Sequence, residues 1–353
     1  MKTVFLEAHN LKNMASGFGV FNHHLINAYY KSEINDLSIT INAKDTLKYK
    51  KEFGDYFKYS EYSFLQKSKF LGVNKKYDVW HSLNQCIKIE PVQKPGKYIT
   101  TVHDVNFMES ARGKSDLRRT NVFLKKLKRT DLIVYISEYA KMQTHQYFDT
   151  SGIEERIIYN GNPITEFLNT ENYRPEYGLD RPFFYSIGAF IPKKNFESLI
   201  MMINELPDYN LIISGSNENT YGNKIKNLIK ELKLEKRVFL TGRVSETEKQ
   251  FYLKNCDAFF FPSVGEGFGL PPIEAMRFGK PVFLANRTSL PEVGGEIAFY
   301  WDNFDPIEMK EKLIDGLNKF SEKPDWYREK LIERAKIFNW INAAEAYLEC
   351  YRN

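Results

Sequence analysis

The sequence predicts an α/β protein built as two doubly wound, Rossmann-like parallel-sheet domains. Short β-rich runs alternate with helical patterns along the whole chain, which is the signature of βαβ units. A polar, turn-rich stretch, "NGNPITEFLNTENYRPEYGLDR" at residues 160–181, interrupts that alternation once. The length of 353 residues, 42% of them hydrophobic, favours two cores over one.

Strands are expected in the first half at 3–7, 37–41, 79–82, 98–102 and 132–136. Between the first two, "GFGVFNHHLINAYYK" places apolar residues at 18, 21, 25, 26 and 29, near the 3.6-residue period, after a glycine-rich turn. The second half repeats the pattern with strands at 183–187, 211–214, 238–241, 258–261 and 282–285 and a helix near 223–232. This gives a first domain over 1–165, a linker over 166–180 and a second domain over 181–339. The amphipathic stretch "NWINAAEAYLECYR" forms a C-terminal helix at about 340–353.

Charge is uneven. The net +5 divides into +8 for residues 1–165 and −3 for the remainder. Much of the excess lies in "RGKSDLRRTNVFLKKLKR" at 112–129, with eight basic residues and one acidic. Such a segment reads as a solvated helix face or as a surface for anionic lipid head groups. Nucleic acid is not expected, since no zinc-finger spacing or aromatic RNA-binding signature accompanies the charge. No apolar run approaches the roughly 20 residues of a membrane span, and the N-terminus meets Lys2, Glu7 and His9 before any signal-peptide core can develop. Cys86, Cys256 and Cys350 are odd in number and widely spaced, which fits a reducing cytoplasm.

Chemistry concentrates in "SVGEGFGLPPIEAMRFGKP" at 263–281. Gly265, Gly267 and Gly269 form a turn, and Pro271 and Pro272 suit the first turn of a helix, where a missing N–H costs nothing. Free N–H groups and the helix dipole at such a start favour a diphosphate. Glu266 and Glu274 would repel a phosphate but can accept hydrogen bonds from sugar or ribose hydroxyls. Glycines also follow the other strands of this half, at Gly188, Gly215 and Gly242, where they let backbone amides approach a ligand. Lys193 and Lys194 in "GAFIPKKNFESLI" supply cations, in a crevice where ligands of doubly wound sheets bind.

Taken together, these blocks resemble retaining glycosyltransferase family 4. "FFFPSVGEGFGLPPIEAM" is similar to the family's two-glutamate signature, and "SGFGVFNHHLINAY", "TVHDVNF", "YISEYAK", "IYNGNP", "IGAFIPKKN", "LTGRVSETE" and "SLPEVGGEIAFYWDNFDP" follow in family order over about residues 15–305. The resemblance implies a GT-B fold, two domains facing each other across a cleft, with the C-terminal helix crossing back onto the first. It implies that Glu266 contacts the donor sugar and Glu274 the ribose, with Gly267, Phe268, Gly269 and Leu270 in the same donor-binding turn. It further implies that Lys193 and Lys194 neutralise the diphosphate, that His103, Gly17 and Gly19 face the donor sugar, and that Arg243 and Val244 border the base. His103, Glu266 and Lys194 are the implied catalytic set. Lys193 stands where this subgroup commonly has arginine, and so lacks a bidentate fork.

The expected reaction is transfer of a hexose, mannose favoured, from a nucleoside diphosphate sugar to a glycan or lipid-linked acceptor of cell-surface polysaccharide or lipopolysaccharide, with retention. GDP-mannose is the favoured donor and a UDP-hexose the next. No Asp-x-Asp is present, so neither a metal nor another cofactor is expected. The alternatives are a nucleotide-sugar epimerase or sugar phosphorylase of the same fold, or a non-catalytic sugar-nucleotide-binding scaffold. The location expected is cytoplasmic, with peripheral attachment at the inner membrane face. His9, His23, His24, His81 and His145 show no i,i+4 pairing with carboxylates and are assigned no role.

Overall fold

A computed structural model of the chain describes all residues except 15, 68–71, 110–112, 178 and 180. Arg112, at the head of the basic segment, therefore lies outside the described residues. The chain divides into two compact units, Met1–Gly161 with Asn339–Asn353, and Asn162–Phe338.

The first unit holds seven parallel strands: β1 (Lys2–Glu7), β2 (Leu37–Ala43), β3 (Lys58–Glu61), β4 (Val79–Ser82), β5 (Lys97–Val102), β6 (Leu132–Tyr135) and β7 (Glu154–Ile157). Their spatial order is 3-2-1-4-5-6-7. The chain runs outward from β1 to β3, returns to β4 beside β1, and runs outward the other way. Loops leaving the carboxyl ends of β1 and β4 therefore diverge, opening a crevice at that switch point. The central strands are buried on both faces, as strands covered by helices on each side must be. Phe5 stacks on Trp80 with ring centroids 4.1 Å apart. The helix Gly17–Lys31 begins where the 3.6-residue pattern places it, and Ser16 caps it by accepting a hydrogen bond from the Gly19 N–H.

The helix Trp340–Arg352 packs on this sheet, burying Trp340, Ala344, Tyr347, Leu348 and Tyr351. A buried polar chain ties it down. Tyr351 OH lies 2.7 Å from Tyr29 OH and 2.6 Å from His81 Nδ1. His81 Nε2 lies 2.8 Å from Thr101 Oγ1, which in turn meets Tyr347 OH at 3.2 Å. The tyrosine hydroxyls and the imidazole buried by the helix are thus matched to one another, while the Trp340 indole Nε1 is buried with no partner among the described residues.

In the second unit β8 (Phe183–Ile187), β9 (Asn210–Ser214), β10 (Val238–Gly242), β11 (Ala258–Phe261), β12 (Val282–Ala285) and β13 (Phe299–Trp301) form a parallel sheet of order 10-9-8-11-12-13. Its switch point lies between β8 and β11. Phe184, Phe260, Phe283 and Trp301 anchor the core on one face.

The stretch expected to be a free linker, 166–180, is bound to the second unit instead. Leu168 N donates to Gln250 Oε1 at 2.9 Å, Tyr173 OH meets Tyr252 OH at 3.1 Å, and Tyr177 stacks on Phe239. Its aromatic residues are the reason: they give a turn-rich stretch apolar area to bury.

The basic segment also differs from a plain cationic face. In the helix Lys114–Leu127, Lys126 is buried, with Nζ donating to Ser82 Oγ and Glu90 Oε1 at 2.9 Å and to Tyr98 OH at 3.0 Å. Its charge is spent inside the unit. Lys114, Arg118 and Lys125 remain exposed beside Leu117 and Leu124, which are 51% and 42% exposed. No described helix is long and apolar enough to cross a membrane.

Candidate functional site

Topology delivers β8 and β11 side by side, so the loops after Ile187 and Phe261 leave the sheet together. The first loop carries Gly188 and Lys193–Lys194; the second carries Ser263 and Glu266. A hydrogen bond from Val264 N to the Lys193 carbonyl at 2.8 Å fastens one loop to the other, and Ser263 Oγ lies 3.1 Å from the same carbonyl. Lys194 Nζ then reaches Glu266 Oε1 at 2.5 Å, and Ser263 Oγ donates to the same oxygen at 2.5 Å. The ammonium also sits 4.6 Å from the centre of the Phe261 ring. No group among the described residues bonds the other carboxylate oxygen, Glu266 Oε2.

Glu266 and Lys194 are 14% and 11% exposed, so the pair is sheltered yet reachable. Burial alone would raise the Glu266 carboxyl. The Lys194 and Lys193 charges and the hydrogen bonds from Lys194 and Ser263 more than offset it, holding the group below its ordinary value. Glu266 is therefore an acceptor-only group at neutral pH, as a reader of hydroxyls must be.

The glycines act differently from the sequence expectation. A Cβ on Gly188 would meet Lys194 Cε at 3.3 Å, and one on Gly265 would meet Lys193 Cδ at 3.3 Å. These two positions make room for lysine stems more than for a ligand. Gly215, at φ +145°, abuts the Gly188 carbonyl, 1.9 Å from where its Cβ would stand. Gly215 N donates to Gly242 O at 2.7 Å, so the ends of three strands are laced together.

Beyond Glu266, Ser289 Oγ donates to the Phe268 carbonyl at 2.7 Å and lies 3.2 Å from the Glu266 carbonyl, and Thr288 Oγ1 accepts from Glu266 N at 3.3 Å. Gly269 takes φ +121°, and the helix Leu270–Arg277 starts with Pro271 and Pro272 and no side-chain cap. Pro271 and Pro272 carry no N–H, so this start offers an anion the helix dipole and the Leu270 amide, with no capping side chain among the described residues to compete. Glu274, in the same helix, is buried and paired with Lys249 at 3.0 Å. Burial would lower the Lys249 ammonium, but the charges of Glu274 and Glu246 raise it, so the lysine stays charged. Arg243 is exposed and Val244 half-buried just past β10.

His103, Gly17 and Gly19 belong to the first unit. Phe18 and Phe21 meet the His103 ring edge-on at 4.8 and 4.7 Å, which brings the start of the glycine-led helix to the histidine. His103 Nε2 donates to the Leu83 carbonyl at 2.9 Å, and burial lowers the imidazole to about 4. The ring is neutral. A Cβ on Gly19 would lie 2.0 Å from Asn13 O, so that glycine serves packing, whereas Gly17 has open space.

Sequence reasoning missed Ser263, Thr288, Ser289 and Lys249. Ser263 stood inside the quoted motif, three residues before Glu266, and was readable as a loop hydroxyl; Lys249 gave no signal, because only tertiary packing brings it to Glu274.

Residues 169–338 match the family of glycosyl transferases group 1. The serotype-specific mannosyltransferase WbdA of Escherichia coli is 28% identical over 293 residues, covering 76% of this chain and 35% of WbdA. The chain thus spans about a third of the length of that relative. The O-antigen chain mannosyltransferase RfbU of Salmonella typhimurium is 28% identical over 236 residues, 63% of each chain. Among solved structures, HepE of Anabaena, in complex with UDP and glucose, superposes with a TM-score of 0.70 at 16% identity over 99% of both chains. That likeness establishes two parallel-sheet Rossmann-like domains of the GT-B kind.

Proposed function

Because the chain carries a glycosyl transferases group 1 domain, we propose that it is a retaining hexosyltransferase of cell-surface polysaccharide synthesis, taking mannose from GDP-mannose. The observation that carries this reading is the Ser263–Lys194–Glu266 cluster at the β8/β11 switch point, beside the uncapped start of Leu270–Arg277. The O-antigen mannosyltransferases among its relatives support the sugar and the glycan acceptor; a UDP-hexose is the other donor to test, since HepE holds UDP.

Lys193, Lys194 and the helix N-terminus stabilise the negative charge that collects on the departing diphosphate. Glu266, kept ionised by Lys194, accepts hydrogen bonds from donor-sugar hydroxyls through Oε2. Glu274 contacts the ribose, steadied by Lys249. The fixed cations take the place of a divalent metal, and the leaving group and acceptor share the same face of the sugar, which retains its configuration. In the first unit, neutral His103 lies behind the glycine-led helix start and orders that loop.

Attachment to an anionic membrane surface runs through Lys114, Arg118 and Lys125 with Leu117 and Leu124. Thermal unfolding with GDP, UDP, ADP and their sugar conjugates, with and without EDTA, tests the donor site. A selective rise in Tm with GDP and GDP-mannose, unchanged by EDTA, is expected; a rise that EDTA abolishes overturns metal independence, and no rise with any nucleotide overturns the transferase reading. Equal partition of wild type and a K114E/R118E/K125E variant onto anionic vesicles would defeat membrane attachment.

A further inference from the structure

The first unit has its own switch point, between β1 and β4, and a histidine that the donor chemistry leaves unused lies there. Glu7 ends β1, paired in register with Asn42 of β2 on one side and Ser82 of β4 on the other. His9 begins the short 3-10 turn that follows. Its Nδ1 is hydrogen-bonded to Glu7 Oε1, and its ring stacks on Tyr62 at 5.2 Å and 17°. In a neutral ring one nitrogen donates and the other accepts. Burial raises the Glu7 carboxyl, the His9 hydrogen bond opposes that rise, and with Nδ1 donating to the carboxylate oxygen the neutral ring keeps its lone pair on Nε2. Glu7 is wholly buried while His9 remains 15% exposed, and Nε2 has no partner among the described residues.

The surroundings point to the class of ligand. Glu7 Oε2, Asn42 Oδ1 and Asn10 Nδ2 are buried without hydrogen-bond partners among the described residues. Groups of this kind are costly to leave unmatched. A carboxylate at their centre repels anions, whereas neutral donor–acceptor groups such as hydroxyls satisfy amides and imidazole alike.

We infer that the Glu7–His9 pair is a sugar-hydroxyl subsite of the first unit, in which His9 Nε2 accepts a hydrogen bond from an acceptor hydroxyl and Glu7 positions the ring. This rests on the transferase reading and adds to it the residues that hold the acceptor.

The test uses the full chain labelled with ¹⁵N-histidine and saturated with GDP. Long-range proton–nitrogen spectra, with His9 assigned by its loss in His9→Gln, should show the Nδ1–H tautomer. Titration with methyl α-mannoside, α-glucoside and α-galactoside should move the Nε2 resonance with at least one sugar. Glu7→Gln, close in shape, should weaken both the tautomer preference and the response. In transfer assays with the responding glycoside, His9→Ala should raise the acceptor KM by about tenfold, the worth of one hydrogen bond, with GDP stabilisation unchanged and partial recovery in His9→Gln. An Nε2–H tautomer, an Nε2 resonance that no glycoside moves, or an unchanged KM overturns the inference. Failure of GDP and every other nucleotide to stabilise the wild type would appear separately and would overturn the transferase reading beneath it.

Discussion

At the scale of single residues, the candidate site depends on one ammonium. Lys194 neutralises Glu266 and crosses the Phe261 ring, and in the proposed reaction it takes up the diphosphate charge. Lys194→Ala is expected to cut turnover on the order of 100-fold, the loss typical of a removed electrostatic donor; turnover within about threefold of wild type would rule the lysine out of catalysis. His103 makes a separate prediction about acid. Its folded value, lowered by burial to about 4, lies below the roughly 6.5 of an unfolded histidine. The unfolded chain then binds more protons between those values, so stability rises with pH from about 4 to 6.5 and falls as pH drops through that window. The difference corresponds to about 3 kcal/mol. His103→Gln should therefore lose less Tm than wild type between pH 6.5 and 4, and parallel curves would refute the assignment.

At the scale of elements, every central strand was legible, and of the four edge strands only β10 was. The apolar runs that became β1, β6, β8, β11 and β12 stand out because both faces are covered, and β4 is buried on both faces although His81 and Ser82 fill its second half. The three strands absent from the sequence reading, β3 ("KYSE"), β7 ("EERI") and β13 ("FYW"), all lie at sheet edges. β3 and β7 are short and polar, so they resemble loops in composition, and β13 is apolar but only three residues long, too short to show a strand pattern. The glutamates, lysines and glycines of the site were readable from their motif. The hydroxyls of Thr288 and Ser289 were not, since a loop 22 residues beyond Glu266 delivers them. The laced strand ends supply a prediction of their own. Gly215→Ala forces an alanine to φ +145° and onto the Gly188 carbonyl. It should cost about 1–3 kcal/mol from backbone angle alone and shift the Lys194 loop; calorimetry showing an unchanged Tm would contradict the close approach.

At the scale of the whole molecule, the first unit is discontinuous in sequence: its sheet comes from Met1–Gly161, but part of its core comes from Asn339–Asn353. Trp340, Tyr347 and Tyr351 are each buried there. Losing one buried aromatic side chain costs about 3–5 kcal/mol, and a domain's whole stability is about 5–15 kcal/mol. Removing residues 339–353 should therefore unfold the first unit and spare the second. Hydrogen exchange would show β1, β4 and β5 amides unprotected and β8, β9 and β11 amides still protected; retained protection in β4 and β5 would deny the helix its role. The same discontinuity sets an order of events during synthesis. A ribosome completes the second unit before it makes the helix that closes the first. The seven-stranded half must then wait on the nascent chain with one flank uncovered, and chaperone capture should fall on that half, the earlier to emerge and the later to finish.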